Sequence, residues 1–372
     1  GGDKEASDEE RGVRRTLKAE GICSLRRSVR LANGLGMRAK ENKVSKRKHW
    51  VDVVRGICMT AILYDHTDIY YSDSNVLPYE LYVPNALTTF FVLSGYLMYK
   101  RSGFCLKNKI RSIMKGLLLP YLIFTIAMAL PKSLAHGLSF NIADMLINVL
   151  SGKASWFVAA LFFAELLFSI AIQLTKGRTI ALLAVGTIGL IASTLMPYAG
   201  EPPFPWQADN ALQAMFYLSI GYAYHKHEEA IEGCINRPPL AIGLLSVLFV
   251  GIKAWEIYYD VSMTEWYINI DCYPMFLLDT VCGAVLLILI CKRLPRMRLM
   301  EWTGIRSLGF YFLCGGVPLT VSMALQRIGL AYNGCYLTVL PVFIIVYILT
   351  AILDWALYKY VPFVFGKRRI KS

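Results

Sequence analysis

The chain has 372 residues, 56% of them hydrophobic and 17% charged, with a mean hydropathy of +0.46. Soluble domains sit near 45–50% apolar and about 25% charged, so a water-soluble globular protein is excluded and the expected fold class is all-α, a polytopic membrane protein. The formal net charge of +13 then belongs to basic loops and tails beside a bilayer, and no nucleic-acid partner is expected.

Residues 1–49 are polar and basic and contain no long apolar run. The twin arginines Arg14 and Arg15 are followed by no apolar region, which argues against a signal peptide. This segment reads as a disordered cytoplasmic arm lying near the membrane surface. Met37 is the first methionine, so residues 1–36 are expected to stand upstream of the natural start. The membrane domain is expected over 50–365, followed by a basic tail, 366–372. Nine cysteines occur without a CxxC pair, which supports neither a zinc site nor a disulfide framework.

A crossing helix needs roughly 20 apolar residues. About ten such segments follow in order: 51–70, 84–99, 113–130, 156–174, 179–197, 208–225, 239–256, 273–291, 307–326 and 334–358. The shorter apolar stretch 140–150 is expected to lie along the interface. Lys100, Arg101, Lys107, Lys109, Arg111 and Lys115 crowd one loop, and Lys292, Arg293, Arg296, Arg298 and Arg306 crowd another. The alternate loops 71–83, 198–207 and 257–272 contain no Lys or Arg. This asymmetry predicts an even number of crossings with both termini cytoplasmic.

The first segment reads RGICMTAILYDH from Arg55 to His66. Eleven residues at 100° each total about 1100°, about 20° from three full turns, so both polar residues share a face, about 16 Å apart. Such residues inside a membrane helix tend to face a cavity or pathway. They also occur snorkelling to the headgroups and interfacial water, and spacing alone leaves both readings open. Glu165 and Asp279 are further intramembrane carboxylates that suit either a functional role or structural pairing with a basic neighbour. Trp156 and Tyr311 stand near segment ends, where aromatics commonly anchor at the interface. Ser94 and Gly95 are expected to permit close helix approach. His225 and His227 fall on different helix faces, so no metal site is expected.

R-x10-H in the first segment, FFVLSGYLM at 90–98, LLLPY at 117–121, SWFVAALFFAELLF at 155–168 and RSLGFYFL at 306–313 together resemble acyltransferase family three, most nearly its fucose 4-O-acetylase-like subgroup. The resemblance covers roughly residues 48–360. Cys314 stands where many members carry a histidine, and Arg111 with Lys115 replaces a tighter Arg-x-x-Arg pair. The resemblance implies an integral O-acyltransferase of the cytoplasmic (inner) membrane, moving an acyl group, usually acetyl, from acyl-CoA to a hydroxyl of a cell-surface glycan or lipid-linked sugar. In that reading His66 is the general base. Arg55, Arg111 and Lys115 hold the phosphates of CoA. Glu165 or Asp279 orients His66 or binds acceptor hydroxyls, and Trp156 and Tyr311 pack on the sugar. The competing reading of the same composition is a secondary transporter or flippase, against which no paired broken-helix repeat is visible.

Overall fold

The computed structural model describes residues 48–135, 141–196, 204–235, 237–261, 263–264 and 269–366. The chain divides into two units, 1–48 and 49–372. Apart from Lys48, the first unit lies outside the described residues, and so do the expectations placed on the N-terminal arm and, apart from Gly366, on the C-terminal tail.

The described part of the second unit is helical. The α-helices run in order α1 (His49–Ser72), α2 (Val83–Met98), α3 (Leu106–Ile113), α4 (Leu119–Ala135), α5 (Ile142–Leu150), α6 (Trp156–Leu174) and α7 (Thr179–Leu195). They continue with α8 (Ala208–Cys234), α9 (Pro238–Tyr259), α10 (Tyr273–Cys291), α11 (Arg298–Ile305), α12 (Ser307–Leu313), α13 (Gly316–Arg327) and α14 (Val339–Tyr360). Among the described residues, extended structure amounts to β1 (Met263–Thr264) paired antiparallel with β2 (Asn269–Ile270).

Among the described residues, five stretches are long and apolar enough to cross a membrane: Leu106–Ala129, Trp156–Leu174, Pro238–Tyr259, Tyr273–Cys291 and Tyr336–Tyr360. The pair α12 and α13, bent by 43°, makes a sixth. The other four segments expected from sequence fall short for two physical reasons. Helices α2 and α7 are apolar but only 16 and 17 residues long. Helices α1 and α8 are long but carry the polar interior, with Asp52, Asp65 and Asp68 buried on one and Asp209, Asn210 and Gln213 buried on the other. The stretch expected as one helix over 307–326 is broken at Cys314 and Gly315, ahead of Pro318, which occupies the first turn of α13 where a missing N–H is tolerated. On α5, Ile142, Ile147 and Leu150 are exposed and Val149 is buried.

Helix α1 is the hub. It packs against α2, α10, α11, α12, α13 and α14. Helices in a membrane gain little from apolar burial against one another, so close van der Waals packing holds them, and small residues make the crossings possible. A side chain on Gly56 or Gly304 would collide with backbone across the α1–α11 crossing, and one on Gly95 or Gly221 would do so across the α2–α8 crossing. The Cβ of a larger residue at Gly221 would fall on the carbonyl oxygen of Val92. Gly221→Leu should therefore abolish a monodisperse, cooperatively melting protein in detergent, because overpacking against backbone leaves no rotamer to yield. Gly233→Leu, on the same helix with open space around it, should melt within a few degrees of wild type.

Contacts between loops collect the basic segments at one end of the bundle. Arg101 pairs with Glu229 at 2.6 Å, His49 with Glu301 at 3.4 Å, and Arg296 with Glu301 at 2.9 Å. Lys292, just past α10, reaches Glu228 at 2.5 Å, Glu232 and the Tyr224 hydroxyl, and covers the Trp50 ring at 4.7 Å. Burial opposes the Lys292 charge, but these bonds outweigh it and hold its pKa above the ordinary lysine value.

Candidate active site

Helix α1 is unbroken from His49 to Ser72, so the eleven-residue spacing places Arg55 and His66 on one stripe, about 16 Å apart along the axis. Met59 and Ile62, which lie between them on that stripe, are 1% and 4% exposed. The stripe is therefore turned into the bundle, with Arg55 and His66 each half-buried in it.

The Arg55 end meets α12 and α14. Arg306, the residue before α12, lies 3.4 Å from the fully buried carboxylate of Asp354 on α14. Its guanidinium sits over the rings of Trp302 and Tyr358, at 4.4 and 5.3 Å. Tyr358 is within electrostatic range of both Arg306 and Arg55. Gly309 makes this approach possible, because any side chain there would strike the Asp354 carboxylate. Two arginines, one buried aspartate and two aromatic faces thus gather in the half of the bundle nearer the basic loops. The sequence places Arg306 among the loop charges and at the head of RSLGFYFL, without assigning it a role, and gives no sign of Asp354.

The His66 end meets the break in α12–α13. His66 stacks on Tyr70, one turn on, with ring centroids 6.3 Å apart and planes 18° apart. Tyr70 is within electrostatic range of Cys314, the buried residue at the break, and Cys314 is within range of Asp65. The Cys314 thiol points back to the Tyr311 carbonyl at 2.9 Å. Asp65 and Asp68, which flank His66 in sequence, hold the following loop. Asp65 accepts from the Tyr82 hydroxyl at 3.3 Å, and Asp68 from the Leu77 amide and the Ser72 hydroxyl, each at 3.1 Å. This agrees with their directions on an ideal helix, which point away from the His66 face.

Trp156 and Tyr311 come together from separate helices, each packed edge-on or tilted against Phe157, at 5.8 and 5.5 Å. Tyr311 is tied to Ser155 by a 3.1 Å hydrogen bond, so it is a braced interior group as well as an aromatic near a helix end.

The two intramembrane carboxylates are each engaged by a lysine. Glu165 pairs with Lys109 at 2.7 Å and accepts from Ser94. Asp279 pairs with Lys253 at 2.8 Å and accepts from Asn85 at 2.9 Å. Lys109 belongs to the same basic run as Arg111 and Lys115, both of which are exposed. The run is helical to Ile113 and then widens into one π-turn over Met114–Leu118, which carries Lys115. π-Turns inside α-helices recur at functional sites, and this one removes the regular one-turn relation between Arg111 and Lys115. His225 and His227 are engaged separately, the first by the Tyr96 carbonyl and ring and the second by Thr179.

A family model described as an acyltransferase domain matches residues 48–359 of the chain. No curated protein and no solved structure matches it.

Proposed function

The chain belongs to acyltransferase family three, whose members are membrane acyltransferases, and from that premise we propose that it moves an acyl group, acetyl in the first instance, from acyl-CoA to a hydroxyl of a cell-surface glycan or lipid-linked sugar, as in the fucose 4-O-acetylase-like subgroup. The observation that carries this reading is the inward-facing stripe of α1, with a guanidinium toward the basic end and an imidazole about 16 Å away. That distance suits a donor whose phosphates bind at one end and whose thioester lies at the other.

In the proposed reaction Arg55, Arg111 and Lys115 hold the phosphates of CoA, as planar and point-charge partners of an anion. Arg306, beside Arg55's group, joins them, and Glu165 fixes Lys109 in the same mouth. His66 takes the proton of the acceptor hydroxyl as its oxygen attacks the thioester carbonyl. The new C–O ester bond forms, the C–S bond breaks, and the proton ends on the departing thiolate. Trp156 and Tyr311 offer ring surface to the sugar. Since Glu165 and Asp279 already bind lysines, orienting His66 is assigned to another group. The basic end faces the cytoplasm, about ten helical segments cross the inner membrane, and both termini lie inside. Family membership favours group transfer over the transporter or flippase reading.

Purified protein reconstituted in vesicles with labelled acetyl-CoA and a panel of cell-surface glycans should transfer label to one acceptor class. Label that crosses the membrane as intact acetyl-CoA, or a glycan that crosses without becoming acylated, would return the protein to the transporter class.

A further inference from the structure

Asp279 belongs to a polar cluster that the acyl-transfer scheme leaves unused. Lys253 on α9 donates to Glu256 on the same helix at 2.9 Å, to Asp279 on α10 at 2.8 Å and to the Glu80 carbonyl at 3.2 Å, so its three N–H bonds are all engaged. The Asn85 amide nitrogen donates to the Asp279 carboxylate at 2.9 Å and to its backbone carbonyl at 3.2 Å. Three side-chain oxygens are left buried without a donor: Asn85 Oδ1, Glu256 Oε1 and Asp279 Oδ1. Asp279 is 0% and Glu256 3% exposed. Every orphan in the cluster is an acceptor.

The charges point the same way. Two ionised carboxylates against one ammonium leave a net negative charge in the apolar interior, which is costly. Among the described residues, the charged and titratable neighbours of the cluster add no second cation. They are Glu80 in the loop before α2, Asp65 on α1 within range of Glu80, and the Cys282 thiol on α10, while the Phe249 ring lies beneath Lys253.

We propose that the Asn85–Lys253–Glu256–Asp279 cluster is a proton-binding site, in which Glu256 and Asp279 share one proton in the working protein. One proton cancels the excess charge and supplies one O–H donor among acceptors that have none. It also requires no open cavity, which suits oxygens closed off from solvent. The consequence falls on α9. Of its residues only Ile252 and Glu256 are buried, so the cluster is its main polar tie to α10 and to the Glu80 turn ahead of α2. Loss of the proton sets two carboxylates against each other beside a single lysine and loosens that tie, so the clamp holds at lower pH and weakens as pH rises.

The test reads neither acyl transfer nor its acceptor and stands apart from the proposed reaction. Infrared spectra of the wild-type protein near neutral pH should contain a protonated-carboxyl C=O band that Asp279→Asn or Glu256→Gln removes. The neutral amide mimics the protonated acid, so either variant should melt at least as high as wild type and lose the wild-type fall in melting temperature at alkaline pH. If both variants fail to fold, the wild-type neutral-minus-alkaline spectrum decides, and a loss of the band supports the site. An unchanged band in both variants, or in that wild-type spectrum, overturns it. So does a saturable rise in melting temperature with sodium chloride but not with choline chloride, which would make the cluster a sodium site.

Discussion

Replacing His66 with alanine should lower the turnover of acetyl transfer by about 10²- to 10⁴-fold, the range that a positioned general base contributes, while expression, melting temperature and donor affinity stay close to wild type. An alcohol is a weak nucleophile until its proton leaves during attack, and a neutral imidazole is the side chain suited to that task near pH 7. His66 is half-buried on the inward stripe of α1 and stacked on Tyr70. It fills little of the core that Met59, Leu63 and Thr67 build around it, which is why the fold should survive the change. Tyr70→Phe keeps the ring and should keep most of the rate. Transfer at wild-type speed in His66→Ala would remove the imidazole from the chemistry.

The stripe on α1 was legible because it depends only on helix geometry. An eleven-residue spacing returns to the same face whatever packs against it, and the unbroken helix of His49–Ser72 carries Arg55 and His66 as that arithmetic predicts. The helices bounded by Trp156 and Leu174 and by Tyr273 and Cys291 were legible for a similar reason, being long apolar runs interrupted by one carboxylate each, Glu165 and Asp279. What stayed hidden depends on long-range contacts. No spacing rule joins Arg306 to Asp354, Lys109 to Glu165, or Lys253 and Asn85 to Asp279, since each pair bridges separate helices. The bend within the expected segment 307–326 comes at Cys314–Gly315, ahead of Pro318, which sits in the first turn of α13. Helices α1 and α8 show the opposite effect. Their buried polar residues lower their apolarity for the very reason that they line the interior.

Arg55→Ala should raise the apparent KM for acetyl-CoA about 10- to 150-fold, the loss expected for a charge-assisted hydrogen bond of about 1.5–3 kcal/mol, with a smaller change in turnover. A lysine at this position should recover only part of the affinity, because a point charge replaces a planar fork. The change also disturbs the Arg306–Asp354–Tyr358 neighbourhood, so a weaker donor affinity by itself does not separate phosphate binding from a shifted helix. The donor can make that separation. An acetyl thioester of pantetheine has the arm and the reacting carbonyl of acetyl-CoA but lacks its nucleotide phosphates. If Arg55 holds phosphate, the variant and wild type should use this truncated donor equally well, and the affinity for the full donor should become less sensitive to salt in the variant. If Arg55→Ala slows both donors alike, the guanidinium organises the bundle and the donor's phosphates bind elsewhere. Arg306→Ala, measured alone and combined with Arg55→Ala, then shows whether the two arginines act on one anion. Arginines sharing one phosphate group should give non-additive losses, whereas arginines on separate phosphates should give losses that add.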